Sequence, residues 1–300
     1  IVFEGAVATR LSDGELRALV AHELGHLLLY RHGEGELLVA EQVLSALTRD
    51  RDADAAHVAS ARLFSLYTEI YCDRVALDVA GSLLEVVAML VKIATDVDAV
   101  DAESYLAQAR EVLGQGLVRT EGLSHPEAYL RAYVLDLWQA RGPDANEKIA
   151  ELIKGKPELE TLDLTAQARI QQITRQLIDA MLAPTWLRTK LLLAHARMFF
   201  DDYALPEMPP DVGQLRAEVE GNLALRDYYA YVLLDFASAD RQLEVAPLAW
   251  AIDLAANLGF QDRFVEIAAT ELRLRKSQIG KITEDRAEIL AAAARMGDLR

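Results

Sequence analysis

Residues 21–26 read Ala21-His22-Glu23-Leu24-Gly25-His26, the pattern H-E-x-x-H. A helix is expected over residues 13–30. Ser12 and Glu15 form the S-x-x-E signature of a capping box, and Gly33, just past Arg31 and His32, is a stop. Leu16, Leu19, Val20, Leu27 and Leu28 are expected to supply its apolar face. Histidines four apart project from one face of a helix, so His22 and His26 can hold one metal ion, with zinc the expected one. Glu23 flanks that face, where it can take a proton from a water on the metal. Two solvated histidines would give the same letters. The apolar flanks 19–21 and 27–29 argue for a buried neighbourhood, where a glutamate between two histidines is costly unless it has a partner.

A catalytic zinc takes three protein ligands and keeps a fourth position open. The third ligand is to be sought among His32, His57, His125, His195 and the carboxylates. Glu69 and Asp73 stand four apart on a predicted helix, among Leu63, Phe64, Leu66, Ile70, Val75, Ala76 and Leu77. One could ligate the metal while the other holds a ligand histidine by its free N–H. A solvated acidic face paired with Arg62 or Arg74 accounts for the spacing equally well.

His22-Glu23-x-x-His26 followed by Glu69-x-x-x-Asp73 resembles the gluzincin peptidases of the HtpX and CAAX-prenyl-endopeptidase family. Ser124-His125-Pro126, with Arg131 after four further residues, resembles that family's later H-P-x4-R block. The three blocks cover residues 1–140 in the family's order. The resemblance implies one zinc held by His22, His26 and Glu69, with Glu23 as general base. It further implies that Asp73 orients a ligand histidine and that His125 stabilises the oxyanion. Arg131 would anchor His125 or a nearby carboxylate. The sequence departs from the family in lacking integral-membrane helices and in the β segments that normally come before the strand at Ile1. It also has Cys72 where alanine is common; of a thiolate that blocks the metal and a small buried hydrophobe, the second is the reading expected here.

The chain has 300 residues, 52% hydrophobic and 26% charged, a globular composition long enough for two domains. The net charge of −16 argues against nucleic acid and anionic membrane as main partners. The single cysteine, Cys72, excludes an intrachain disulfide and fits a reducing, cytoplasmic setting. The chain begins at Ile1, so a preceding targeting or membrane segment remains compatible with this reading. The most apolar run, 80–94, carries Glu85 and Lys92 and is shorter than the ~20 residues a bilayer needs, so a buried helix in a soluble chain is expected.

The expected fold is mostly α, with α+β character at the N-terminus. It consists of a zincin-like core with a short strand over residues 1–8, then a helical bundle. Helices are expected over 36–48, 53–94 with a break at Gly81, 103–113 and 126–140. Residues 164–182 and 185–200 should be helical, followed by three or four helices over 211–296 with Gly259 and Gly280 as stops. The polar stretches 142–144 and 154–165 suggest a boundary. The division is a zinc metallopeptidase domain at 1–140, a helical connecting region at 141–215 and an accessory domain at 216–300. Residues 222–275, through 233–240 and 248–260, resemble a TerB-like helical domain. That family often carries an Asp-Gly and a later Glu in this turn; here Arg241 follows Asp240 and Pro247 falls near the expected acid, which argues against a metal role for Asp240 or Glu244. Trp250, Leu254 and Phe264 are expected in its core.

The function this implies is zinc-dependent endopeptidase, with a peptide or protein substrate and a possible protein partner for the C-terminal half. The main rival is a catalytically silent, peptidase-like scaffold acting through its acidic helical half; a second is a structural zinc protein, whose closed site would need a fourth ligand, with Cys72 the only thiol available. His32, His57 and His195 are expected to be structural.

Overall fold

A computed structural model describes residues 7–49, 51–114, 126–155, 159–220 and 225–297. All regular structure among them is helical. Two compact units divide the chain, residues 1–156 and 157–300, the division falling within the polar stretch 154–165.

The first unit holds α1 (Val7–Arg10), α2 (Asp13–Arg31), α3 (Glu36–Leu47), α4 (Ala55–Ala80), α5 (Leu83–Thr95), α6 (Ala102–Gly114), α7 (Pro126–Arg141) and α8 (Asn146–Lys154). The expected N-terminal strand falls mostly outside the described residues. Residues 1–6 lie outside the described residues, and Val7, inside the expected strand, opens α1.

α2 begins where its capping residues dictate. Glu15 N–H donates to Ser12 Oγ at 3.2 Å, and Ser12 N–H donates to Glu15 Oε2 at 2.8 Å. The same Glu15 oxygen accepts from Lys92 Nζ at 2.8 Å, which ties the start of α2 to α5. Ser12→Ala should therefore cost about 1 kcal/mol of stability, read as a lowered midpoint of chemical unfolding.

The apolar face of α2 is narrower than expected. Ala18, Leu19, Ala21, His22 and Gly25 are buried, whereas Leu24, Leu27 and Leu28 are exposed. The chain then turns through Gly33, Glu34 and Gly35, all at positive φ. Two glycines in three residues make that left-handed turn cheap. It leads into α3, which buries no residue and exposes Leu38, Val39, Val43 and Leu47.

α4 runs unbroken to Ala80 and stops at Gly81, whose φ of 71° is open to glycine. α5 is the apolar run read as a buried helix, and it buries every residue from Val86 to Val91. One apolar cluster joins α2, α4, α5 and α7 through Leu19, Leu77, Met89, Leu90 and Leu135. A second joins α4, α6, α7 and α8 through Leu66, Ile70, Leu113, Val134 and Ile149. α8 lies in the stretch read as connecting region; Ile149 and Ile153 pack into this second cluster.

The second unit holds α9 (Leu164–Met181), α10 (Lys190–Phe199), α11 (Val212–Glu220), α12 (Arg226–Ala239), α13 (Ala246–Asn257), α14 (Gln261–Glu271), α15 (Lys276–Glu284) and α16 (Arg286–Gly297). Six helices occupy 211–296 where three or four were expected. Two of the turns between them are made without glycine: Glu244 and Arg273 take left-handed φ of 52° and 53°. Gly280, expected as a stop, lies inside α15, while Gly259 does end α13 at φ 83°. Leu254 and Phe264 are buried in the core with Leu177, Tyr229, Phe236 and Ile252. Trp250 packs against its edge and donates to Met181 O at 3.0 Å.

Candidate metal centre

Three helices carry the site: α2 supplies His22, Glu23 and His26, α4 supplies Glu69, Cys72 and Asp73, and α7 supplies Arg131. The spacing of four sets His22 and His26 on one face, ring centroids 5.0 Å apart and edge to face. Glu69, Cys72 and Asp73 stand at i, i+3 and i+4, again on one face.

Close approach of α2 and α4 is set by Gly25. A methyl there would meet Cys72 Cα at 3.1 Å and its Sγ at 3.3 Å. Gly25→Ala would gain about 0.5–1 kcal/mol of helix propensity but lose about 1–3 kcal/mol through overpacking. A net destabilisation is expected, with weaker metal retention as the helices part, checked by thermal unfolding and metal titration.

The carboxylate of Glu69 faces both histidines. His22 Nε2 lies 3.5 Å from Glu69 Oε2, and His26 Nε2 lies 3.5 Å from Glu69 Oε1. Donors on one tetrahedral zinc, bonded at about 2.0–2.2 Å, are separated by roughly this distance. His22, Glu69 and His26 thus carry donors of the right chemistry for a metal ion, each histidine facing a different oxygen of Glu69.

Asp73 is wholly buried behind His22, its Oδ1 2.9 Å from His22 Nδ1. The contact is an ion pair by distance, without the geometry of a directed hydrogen bond. Arg131 grips Asp73 with two hydrogen bonds of 2.7 Å from Nε and Nη2. Its Nη1 reaches Glu69 Oε2 at 2.9 Å. Neither Arg62 nor Arg74 makes this pairing; Arg74 stacks on Trp138 at 3.9 Å and donates to Asn146.

These contacts set the charges. Burial works against a charged His22, but Asp73 and Glu69 outweigh it and raise its pKa to about 9. Burial would also raise the carboxyls of Glu69 and Asp73. His22 and Arg131 hold Glu69 below its ordinary value; Arg131 and then His22 do so for Asp73. Burial, then the neighbouring Glu69 and Asp73 charges, push the Cys72 thiol up to about 12. A metal would enter a site already charge-balanced, displacing the proton of His22.

Glu23 is exposed beside His22 and close enough for its charge to weigh on Cys72. His125 lies outside the described residues. His32 is exposed and His57 half-buried; His195 pairs with Asp235 at 2.9 Å, in the second unit. Asp240 is engaged as a cap, accepting from Gln242 N–H and Thr189 Oγ1. A cavity of about 560 Å³ lined by Leu84, Leu106, Arg110 and Asp136 includes none of the site residues.

The residue that the sequence reading set aside is Cys72. Among the described residues, His22, His26 and Cys72 offer donor atoms within 4.8 Å of one another. Its place between Glu69 and Asp73, on the same face of α4, was the available signal.

Among curated proteins, the chain is similar to the plastoglobule-localized metallopeptidase 48, chloroplastic, of Arabidopsis thaliana, 31% identical over 156 residues. The match covers 46% of this chain and 44% of that protein, so the chain spans less than half the length of this relative. No family model matches, and no solved structure does. No helix among the described residues is long and apolar enough to cross a membrane.

Proposed function

We propose that the first unit is a zinc-dependent endopeptidase of the gluzincin type. The observation that carries this reading is the placing of both Glu69 carboxylate oxygens 3.5 Å from a histidine Nε2, one on each histidine of H-E-x-x-H. The metallopeptidase relative supports it at the coarse level.

His22, His26 and Glu69 would hold the zinc, which when bound supplies a Lewis acid that polarises a peptide carbonyl and acidifies water. Glu23 would act as general base and then hand the proton to the leaving nitrogen. Asp73 fixes the His22 ring from behind and raises its basicity, as a carboxylate behind a ligand histidine does. Arg131 holds Asp73 and Glu69 in register through three contacts. Leu24 and Leu27, exposed on the same helix as Glu23, could receive apolar side chains of a peptide. His125 would stabilise the oxyanion. The second unit, in this reading a TerB-like bundle, would bind a protein partner or regulate the first.

The silent-scaffold reading draws on one observation, the thiol beside the histidines, because a fourth protein donor converts an open site into a closed one. The deciding experiment is metal analysis with cleavage of a casein or peptide library, with and without chelator. Zinc at one per chain with chelator-sensitive cleavage supports the enzyme. Zinc without cleavage, also in any longer natural form, favours the scaffold.

A further inference from the structure

We propose that Cys72 is a fourth protein donor to the metal, beside His22, His26 and Glu69, so that a thiolate competes for the coordination position a peptidase leaves open. This inference rests on the metal site proposed above.

Three observations carry it. The donor atoms of His22, His26 and Cys72 lie within 4.8 Å of one another. Donors bonded to one tetrahedral zinc at about 2.0–2.3 Å are roughly 3.3–3.7 Å apart, so the sulfur needs to approach by about 1.5 Å at most. Cys72 is also fully buried yet belongs to neither apolar cluster of its unit. Its surroundings are the groups of the site: Gly25 of α2 lies against its Sγ, and Glu69 and Asp73 stand on the same face of α4. Finally, Glu69 Oε2 is shared, since Arg131 Nη1 holds it at 2.9 Å while it faces His22. As the metal–sulfur bond forms, the thiol proton leaves to solvent and no electron is transferred.

Cobalt(II) titration of the metal-free full chain tests this. A near-ultraviolet sulfur-to-cobalt charge-transfer band is expected in the wild type and should vanish in Cys72→Ser and Cys72→Ala. Zinc X-ray absorption on the wild type is the second measurement, independent of how the variants fold. A sulfur shell at about 2.3 Å is expected. Cobalt bound with no such band, and zinc with only nitrogen and oxygen neighbours, would overturn the thiolate while leaving the His22–His26–Glu69 site standing. Failure to bind either metal would overturn both.

Discussion

Glu23→Gln should lower turnover of a cleaved peptide by about 10²–10⁴-fold while zinc stays bound at one per chain. The amide keeps the size of the side chain and removes only its capacity to accept and return a proton. Glu23 is exposed next to the buried His22 and makes no ion pair with a described residue, so the change should leave the fold unaltered. His26→Ala is the contrasting case. It deletes one of the two imidazoles facing Glu69, and the metal itself should be lost, seen as zinc content falling towards zero after dialysis. The pair separates chemistry from binding, since one variant keeps the metal and loses rate while the other loses the metal. Equal cleavage by wild type and Glu23→Gln would remove Glu23 from the mechanism. Retention of stoichiometric zinc by His26→Ala would remove His26 from the ligand set.

What the sequence made legible follows from which interactions are local. The start of α2 is written in Ser12 and Glu15, three residues apart, and the structure has both hydrogen bonds of the box. Helix periodicity aligned His22 with His26 and Glu69 with Asp73, because a spacing of four has the same consequence on any helix. Three features were not legible. The buried face of α2 was misread because Leu27 and Leu28 are apolar but exposed; hydrophobicity does not say which face a neighbour covers. The helix ends at Glu244 and Arg273 lack the glycine signal, since non-glycine residues there adopt left-handed φ. The partner of Asp73 is 58 residues away in sequence, so spacing alone offered only Arg62 and Arg74, and it was the resemblance that gave Arg131 of α7 a nearby carboxylate to anchor. The zinc ligands implied by resemblance rest on the same long-range packing of α2 on α4, and Gly25 is the residue that permits it.

Asp73→Ala should destabilise the first unit by about 3–5 kcal/mol, the cost of breaking a buried ion pair from one side. Asp73 is fully buried, accepts two hydrogen bonds from Arg131 and touches His22 Nδ1. Its removal leaves a guanidinium only 18% exposed at the side chain with Glu69 as its remaining anion. The freed guanidinium should then draw Glu69 away from the histidines. Metal affinity should fall by about 10–100-fold as well, as expected when the group behind a ligand histidine is lost. For a unit of this size the thermal midpoint should drop by about 6–20 °C. A double replacement distinguishes a lost ion pair from a mere cavity. Asp73→Leu with Arg131→Met removes both charges and fills both volumes, so it should be more stable than either single variant, although its zinc affinity stays low. Single variants within about 0.5 kcal/mol of wild type would show that the ion pair does not hold α4 to α7. A double variant no better than the singles would show that packing, not uncompensated charge, sets the cost.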